Sequence, residues 1–356
     1  MKTKFLFVIA LIAGSFLNFV GCTDKSYEVT PHPVTLSLPS SNSDPELTLG
    51  RVLFYDAHLS VNNSISCASC HKQALGFSDN VAHSTGFENR LTPRNALPIQ
   101  NLQNSFGFSP ARPPELFWDG RETFLETMVL RPILNHVEMG MSDEAALVDR
   151  VRNLPYYHDL FQQAFGTTNV TSSEIASALS DFVGRITSTN SRFNQSQSGQ
   201  GELKALERQG QQLFIEKYNC DGCHKVSTGS SYFGSDNLGF INIGLDPVYA
   251  DPGRMNVTHL SEDAGKFKVP SLANVALTAP YMHDGRFATL HDVLDHYSHG
   301  IANHPNLDAR LKNADGSPLQ MNISEQEKTA LIAFLNTLTD FSVLSNSDFS
   351  NPFVIH

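Results

Sequence analysis

The chain is poor in charge, in tryptophan and in long apolar runs. Charged residues make up 17% of its 356 positions, 25 basic against 36 acidic, for a formal net charge of −11. It has no basic stripe to neutralise phosphates, which argues against nucleic acid as a partner. The only long apolar run is Phe5 to Val20. Nothing later approaches the ~20 residues of a spanning helix, so a polytopic membrane protein is excluded. Disorder as the general state is excluded too, because 24 phenylalanines and regularly spaced apolar residues supply core material. The length suits two domains of roughly 100–200 residues each.

The first 22 residues read as an address. Lys2 and Lys4 form a positive start, Phe5 to Phe16 an apolar stretch, and Phe19-Val20-Gly21-Cys22 an ending with a small residue before a cysteine. This pattern predicts a lipoprotein-type signal peptide over 1–22, cleaved before Cys22 and lipidated there; an ordinary secretory signal is the alternative. Thr23, standing where an aspartate would retain the protein at the inner membrane, points to the periplasmic side of the outer membrane. Residues 23–45 are polar with scattered Pro and Ser and read as a tether, so membrane contact is expected only through the anchor.

Of the five cysteines, four form two copies of one motif, Cys67-Ala68-Ser69-Cys70-His71 and Cys220-Asp221-Gly222-Cys223-His224. C-x-x-C-H is the attachment signature of c-type haem. Thiols one helical turn apart add across the two vinyl groups of the porphyrin, and the following His offers its imidazole to the iron. A zinc ribbon is disfavoured by the long gap from Cys70 to Cys220, and a redox dithiol needs no His after both pairs. With Cys22 anchored, no cysteine is left for a disulfide.

The surroundings of the two motifs repeat. Gly50-Arg51-Val52-Leu53-Phe54 before the first is echoed by Gly210-Gln211-Gln212-Leu213-Phe214 before the second, and Asp119-Gly120-Arg121 by Asp284-Gly285-Arg286. Domain duplication follows: a mainly α chain of two cytochrome c-like haem domains, 46–193 and 202–345, joined by long ordered loops, with the boundary in the Ser/Gln/Gly stretch Asn194 to Gly201. Thr171 to Glu174 and Ser324 to Glu327 are capping boxes. Each opens a helix, with Ile175, Leu179, Phe182 and Ile186 on one face of the first and Leu331, Phe334, Leu335 and Leu338 on the second. No segment of useful length has strand periodicity.

From about residue 45 to 345 the chain resembles the bacterial di-haem cytochrome c peroxidase family, including its MauG branch. The resemblance is carried by Cys67 to His71, Arg94-Asn95, Phe117-Trp118-Asp119-Gly120-Arg121, Pro132 with Glu138-Met139-Gly140, Cys220 to His224, and Thr278-Ala279-Pro280-Tyr281-Met282-His283-Asp284-Gly285-Arg286. It implies two covalent haems, H2O2 reduced to water at the His71 haem, and electrons relayed from the His224 haem. Glu138 matches the distal glutamate that takes a proton from bound peroxide and returns it to the leaving oxygen; read alone it would be a loop carboxylate. Phe87 stands where classical members carry a distal His, so the first iron is expected open without prior reduction. His83, four residues earlier, reads as an ordinary loop histidine. Met128 replaces the family's usual distal glutamine.

Tyr297 falls where classical peroxidases place a Met ligand of the second haem and the MauG branch a Tyr; His296, His299 and Met282 are its competitors. A phenolate favours ferric and higher-valent iron. Trp118 matches the residue that carries electrons or holes between the haems, with core packing as its bland alternative. Asn95, Thr278 and Pro280 match the positions that hold one Ca2+, the last two through backbone carbonyls. Electrons are expected from a small c-type cytochrome or copper protein. The alternative is a MauG-like H2O2-dependent oxidase that draws them from Trp or Tyr side chains of a partner protein; a non-catalytic di-haem electron carrier is a third reading. Homodimers are common in the family.

Overall fold

The computed structural model describes residues 34–38, 44–102, 115–226 and 239–354. The export segment with Cys22, and most of the tether, lie outside the described residues. Everything below concerns the compact unit Thr35–His356.

Among the described residues the fold is mainly helical. Its helices are α1 (Pro45–Tyr55), α2 (Cys67–Cys70), α3 (Leu125–Leu134), α4 (Glu144–Arg152), α5 (Pro155–Phe165), α6 (Ser172–Arg185), α7 (Arg192–Gln197), α8 (Ala205–Gln212), α9 (Met255–Thr258), α10 (Leu290–Asp295), α11 (Glu325–Asn336) and α12 (Phe341–Ser345). π-Helical turns extend α8 over Leu213–Lys217 and α10 over His296–Gly300. Two short strands, β1 (Phe240–Ile241) and β2 (Phe267–Lys268), pair antiparallel. Long loops make up much of the rest. Both capping boxes form: Thr171 with Glu174 opens α6 and Ser324 with Glu327 opens α11.

The repeated G-x-x-L-F motif has a packing cause. A Cβ on Gly50 would lie 1.9 Å from the Ala178 carbonyl oxygen, and one on Gly210 would lie 1.9 Å from that of Ala330. Each glycine lets the first helix of its half cross a long helix late in that half at backbone contact, α1 on α6 and α8 on α11. The Phe four residues later then seats on that partner helix, Phe54 against Phe182 at 5.1 Å and Phe214 against Phe334 at 5.4 Å between ring centroids. Two hydrophobic cores result. One is built around Leu53, Phe54, Phe161 and Phe182, the other around Phe214, Leu331 and Phe334.

A buried polar network stitches the halves. Asn274 Nδ2 donates to Gln100 Oε1 at 2.9 Å and to Ser188 Oγ at 3.0 Å, and its Oδ1 accepts from the Asp340 N–H at 2.6 Å. Asp340 Oδ2 in turn accepts from the backbone N–H groups of Thr189 and Asn190. Every member is satisfied, so the network fixes the relation of the halves rather than weakening the interior. Beyond α11 the chain crosses back, and Val343 and Phe349 bury in the first core. Arg51 Nη1 donates to the Ser347 carbonyl at 2.9 Å and the Tyr55 hydroxyl to that of Phe349 at 2.6 Å, locking this return. The Ser/Gln/Gly stretch at 194–201 begins inside α7 rather than as open linker.

Candidate haem sites

The first cradle is the single turn of α2. Ser66 and Ser69 cap it reciprocally, which places Cys67 and Cys70 one turn apart. The His71 N–H continues the turn to the Cys67 carbonyl at 2.9 Å. His71 Nδ1 lies 3.1 Å from the carbonyl oxygen of Phe77, and burial lowers the imidazole pKa. A neutral ring that donates from Nδ1 leaves Nε2 as a lone-pair donor, the tautomer an axial ligand needs. The second cradle repeats the design. The His224 N–H donates to the Cys220 carbonyl at 2.9 Å, and Nδ1 lies 3.0 Å from the Pro270 carbonyl. Burial pushes His224 down to about 4.

The thiols themselves argue against a redox dithiol. Burial raises Cys67 and Cys220 to about 12 and Cys70 to about 11. A redox dithiol needs the opposite, a stabilised thiolate. The second cradle opens on a cavity of about 380 Å³ whose wall is mainly apolar and includes Cys220, Cys223 and His224. That volume, the free Nε2 and the paired neutral thiols fit a covalently held porphyrin.

Tyr297 and Met282 both line this cavity. The π-helical turn sets Tyr297 there, a local widening that recurs at functional sites. Its hydroxyl has no hydrogen-bond partner among the described residues, and burial raises its pKa. His296 is committed elsewhere: its Nε2 lies 3.0 Å from the Ile243 carbonyl. His299 is exposed. Neither histidine lines the cavity, so of the four sequence candidates only Tyr297 and Met282 are placed to reach a haem bound there.

Near the first cradle, the turn after α3 carries Glu138. Asn135 organises it: its carbonyl accepts from the N–H groups of Glu138, Met139 and Gly140, and its Nδ2 donates to Glu138 Oε1 at 2.9 Å. Burial raises the Glu138 pKa, while Arg121 and the Asn135 bond act against that rise. The Phe87 loop lies directly on this turn. The Phe87 N–H donates to the Glu138 carbonyl at 2.8 Å. A Cβ on Gly86 would sit 2.2 Å from the Val137 carbonyl oxygen, and one on Gly140, at φ +77°, 2.7 Å from the Phe87 ring. Both glycines are required for that approach. His83 is held away by its own loop, with Nδ1 2.8 Å from the Thr92 carbonyl. Met128 is half-buried against the first core.

Trp118 lines the second cavity and is clamped between the halves. Its Nε1–H donates to the Asn95 carbonyl at 2.9 Å, and its carbonyl accepts from the Lys268 N–H on β2 at 2.8 Å. Arg254 Nη1 donates to the carbonyls of Asp119 and Gly120. Arg94 forks onto Asp251 at 2.6 and 2.9 Å and reaches Asp119 at 2.6 Å. Asn95, Thr278 and Pro280 all line the same cavity. Asn95 Nδ2 donates to the Val81 and Ala82 carbonyls, which leaves Oδ1 free as an acceptor.

Sequence reasoning missed the two carbonyls that fix the haem histidines, because any residue supplies a backbone carbonyl. It also missed Asp251 and Arg254, the partners of the Trp118 loop. Their signal lay only in Arg94, a charged residue inside a matching motif.

The family profile of di-haem cytochrome c peroxidases matches residues 44–202, and that of cytochrome c matches residues 208–339. The methylamine utilization protein MauG of Methylorubrum extorquens is 34% identical over 315 residues, covering 87% of this chain and 82% of that protein. The cytochrome c551 peroxidase of Nitrosomonas europaea is 31% identical over 343 residues, covering 95% and 92%. Among solved structures, a MauG-like protein associated with microbial copper homeostasis superposes with a TM-score of 0.74 at 33% identity, covering 92% of this chain and 99% of that one.

Proposed function

The chain belongs to the di-haem cytochrome c peroxidase family, and from that premise we propose that hydrogen peroxide is reduced at the His71 cradle with Glu138 as the acid/base and with electrons passed from the His224 cradle through Trp118. It is a di-haem c-type oxidoreductase that acts on peroxide. Haem, when bound at both cradles, supplies redox-active iron that meets peroxide at one and exchanges electrons at the other.

The residues of the chain do the rest. Cys67 and Cys70, with Cys220 and Cys223, hold the porphyrins. His71 and His224 present Nε2 because Phe77 and Pro270 occupy Nδ1. Glu138, as carboxylate, takes the first proton from peroxide and then returns it to the departing oxygen. Its raised pKa makes it a stronger base than an exposed glutamate while leaving it able to give the proton back. Phe87 has no donor atom for iron, so nothing at that position competes with peroxide. Trp118 bridges the halves, with Asn95 as its hydrogen-bond acceptor on one side and Lys268 anchoring its carbonyl on the other. Asn95 Oδ1 and the carbonyls of Thr278 and Pro280 are the donors proposed for one Ca2+, an all-oxygen set suited to that ion. Export through residues 1–22, and a lipid anchor at Cys22 facing the periplasm, remain part of the same proposal. Among the described residues no helix is long and apolar enough to cross a membrane.

The observation that carries the reading is the seating of the Phe87 loop on the Glu138 turn. On this reading Phe87, a non-ligating residue, takes the place a distal His would hold, beside the half-buried Glu138 carboxylate. The test is EPR of the fully ferric protein before and after H2O2. A high-spin component that peroxide consumes without pre-reduction is expected; wholly low-spin iron that does not respond to peroxide would refute it.

One observation favours a second reading. Tyr297 lines the cavity of the second cradle beside Met282, and the MauG relative is similar over most of its length. On that reading the electrons come from Trp or Tyr side chains of a partner protein. Turnover with reduced cytochrome c decides: fast, saturable rates support the peroxidase, and slow turnover with a long-lived oxidised state supports the oxidase.

A further inference from the structure

Away from Trp118, the first core holds a pair of oxidisable side chains. Tyr156 and Tyr157 open α5, with ring centroids 4.7 Å apart. Both hydroxyls donate to one oxygen, Asp56 Oδ2, each at 2.7 Å. The other oxygen, Oδ1, lies 2.7 Å from His58 Nδ1 and accepts the His58 N–H at 2.9 Å. The burial of these groups is graded. Asp56 and Tyr157 are each 1% exposed. Tyr156 is half-buried, and the His58 side chain is 39% exposed. At the inner end, Cys67, the first thiol of the first cradle, packs against the same core as Tyr157. The chain of groups therefore runs from the porphyrin-bearing cysteine to the surface.

A phenol surrenders an electron readily only when its proton can leave at the same time. Two phenols sharing one buried carboxylate at hydrogen-bond distance meet that requirement for both rings. We propose that Tyr157 and Tyr156 form an exit for oxidising equivalents from the first haem site, used when peroxide has reacted and no outside donor delivers electrons.

The step balances. Tyr157 supplies one electron to the oxidised site, and its phenolic proton crosses to Asp56 Oδ2, leaving a neutral tyrosyl. Tyr156 then gives Tyr157 an electron while Asp56 returns the proton to Tyr157 and takes the one from Tyr156. The net result is a hole on Tyr156, the ring nearer solvent, and one proton on Asp56, next to His58. The oxidant is the peroxide of the established reaction. This route rests on peroxide reacting at the His71 cradle, yet it is separate from Trp118, which lines the second cavity.

A merely structural role, tying α5 to the end of α1, would not generate a radical, so the test reads one. The full di-haem protein, ferric and with ring-deuterated tyrosine, is mixed with one equivalent of H2O2 without donor and freeze-quenched for EPR. Peroxide loss is followed in parallel. The wild type is expected to give a deuterium-sensitive tyrosyl signal and Tyr157→Phe to lose it. Tyr156→Phe is expected to keep the signal, to lose the nitroso spin-trap adduct that maps to Tyr156, and to turn over unchanged with an external donor. Peroxide consumed with no tyrosyl signal in the wild type, or with an undiminished signal in Tyr157→Phe, overturns the proposal. If Tyr157→Phe fails to retain its haems, an unchanged spin-trap pattern in Tyr156→Phe overturns it instead. Peroxide left unconsumed by the wild type would strike at the His71 reading itself.

Discussion

Replacing Glu138 by glutamine is the most direct challenge to the peroxide site. The change keeps the shape of the side chain and an oxygen for the Asn135 Nδ2 donor at 2.9 Å, so the turn and both haem attachments are expected to persist. What disappears is the proton shuttle. Positioned general acid–base groups contribute about 10²–10⁴ in rate, which at 1.36 kcal/mol per tenfold is roughly 2.7–5.5 kcal/mol of barrier. Stopped-flow measurement of the reaction of H2O2 with the ferric protein should register a fall of that order. The pH profile gives an independent check. Because burial raises the Glu138 pKa, the carboxylate base is lost as the pH falls through a value above the ordinary glutamate range. The wild-type rate should therefore drop on that acid limb, and Glu138→Gln should have no such limb. Asn135→Ala removes an interaction that holds the pKa down, so its limb should move to higher pH. Stability has its own sign. With the folded pKa above the unfolded one, the contribution of Glu138 to stability is greatest below its unfolded pKa and is lost as the pH rises through the folded pKa. At neutral pH the glutamine variant should consequently melt no lower than the wild type. A rate within a factor of about three of wild type, well under the range for acid–base groups, or an acid limb that survives in Glu138→Gln, would refute the assignment.

Three further outcomes are expected. Tyr297→Phe should alter the low-spin ferric EPR signal of the second haem while leaving the haem count at two by pyridine haemochrome; an unaltered signal would hand the position to Met282, since His296 is bound to the Ile243 carbonyl. Gly50→Ala forces a Cβ to within 1.9 Å of the Ala178 carbonyl oxygen, so α1 and α6 must part; overpacking of this sort costs about 1–3 kcal/mol, read as a lowered Tm in a thermal melt, and a Tm equal to wild type would show that the crossing is looser than the backbone distance implies. Chelation of Ca2+ should slow electron exchange between the haems in stopped-flow spectra, and an unchanged rate would leave Asn95 as the acceptor for Trp118 alone.

How much of this was readable beforehand depended on which atoms do the work. The two C-x-x-C-H motifs were legible because the motif fixes side-chain identity and spacing together, and each folds as a single turn that carries both cysteines. The helices starting at Ser172 and Glu325 were legible because their capping boxes are side-chain signals followed by apolar periodicity. The G-x-x-L-F repeat was visible as a pattern, but its meaning was not: it is a backbone-to-backbone crossing that depends on the partner helix far along the chain. The tautomer-setting carbonyls of Phe77 and Pro270 left no trace, since a carbonyl carries no sequence identity. Nor did the return of Val343 and Phe349 to the first core, because apolar residues near a chain end do not say which of two cores will bury them.

One turn recurs in the two halves with different side chains on it. Leu116 to Glu122 and Tyr281 to Phe287 form the same bridged loop, each with positive φ at the second residue, Phe117 at +65° and Met282 at +75°, and a left-handed glycine at Gly120 and Gly285. In each loop the Asp is paired with the Arg two residues on. The residue between the positive-φ position and the Asp differs: Trp118 in one, His283 in the other. Both line the cavity of the second cradle; Trp118 places its indole N–H on Asn95, and His283, buried, stacks on Phe267 at 3.7 Å. The same loop thus carries an indole once and a stacked imidazole once, and His283 receives the Asn95 N–H on its carbonyl at 2.7 Å, which ties the two loops together through Asn95. Two equivalent backbones therefore carry different rings on a turn whose geometry does not have to change.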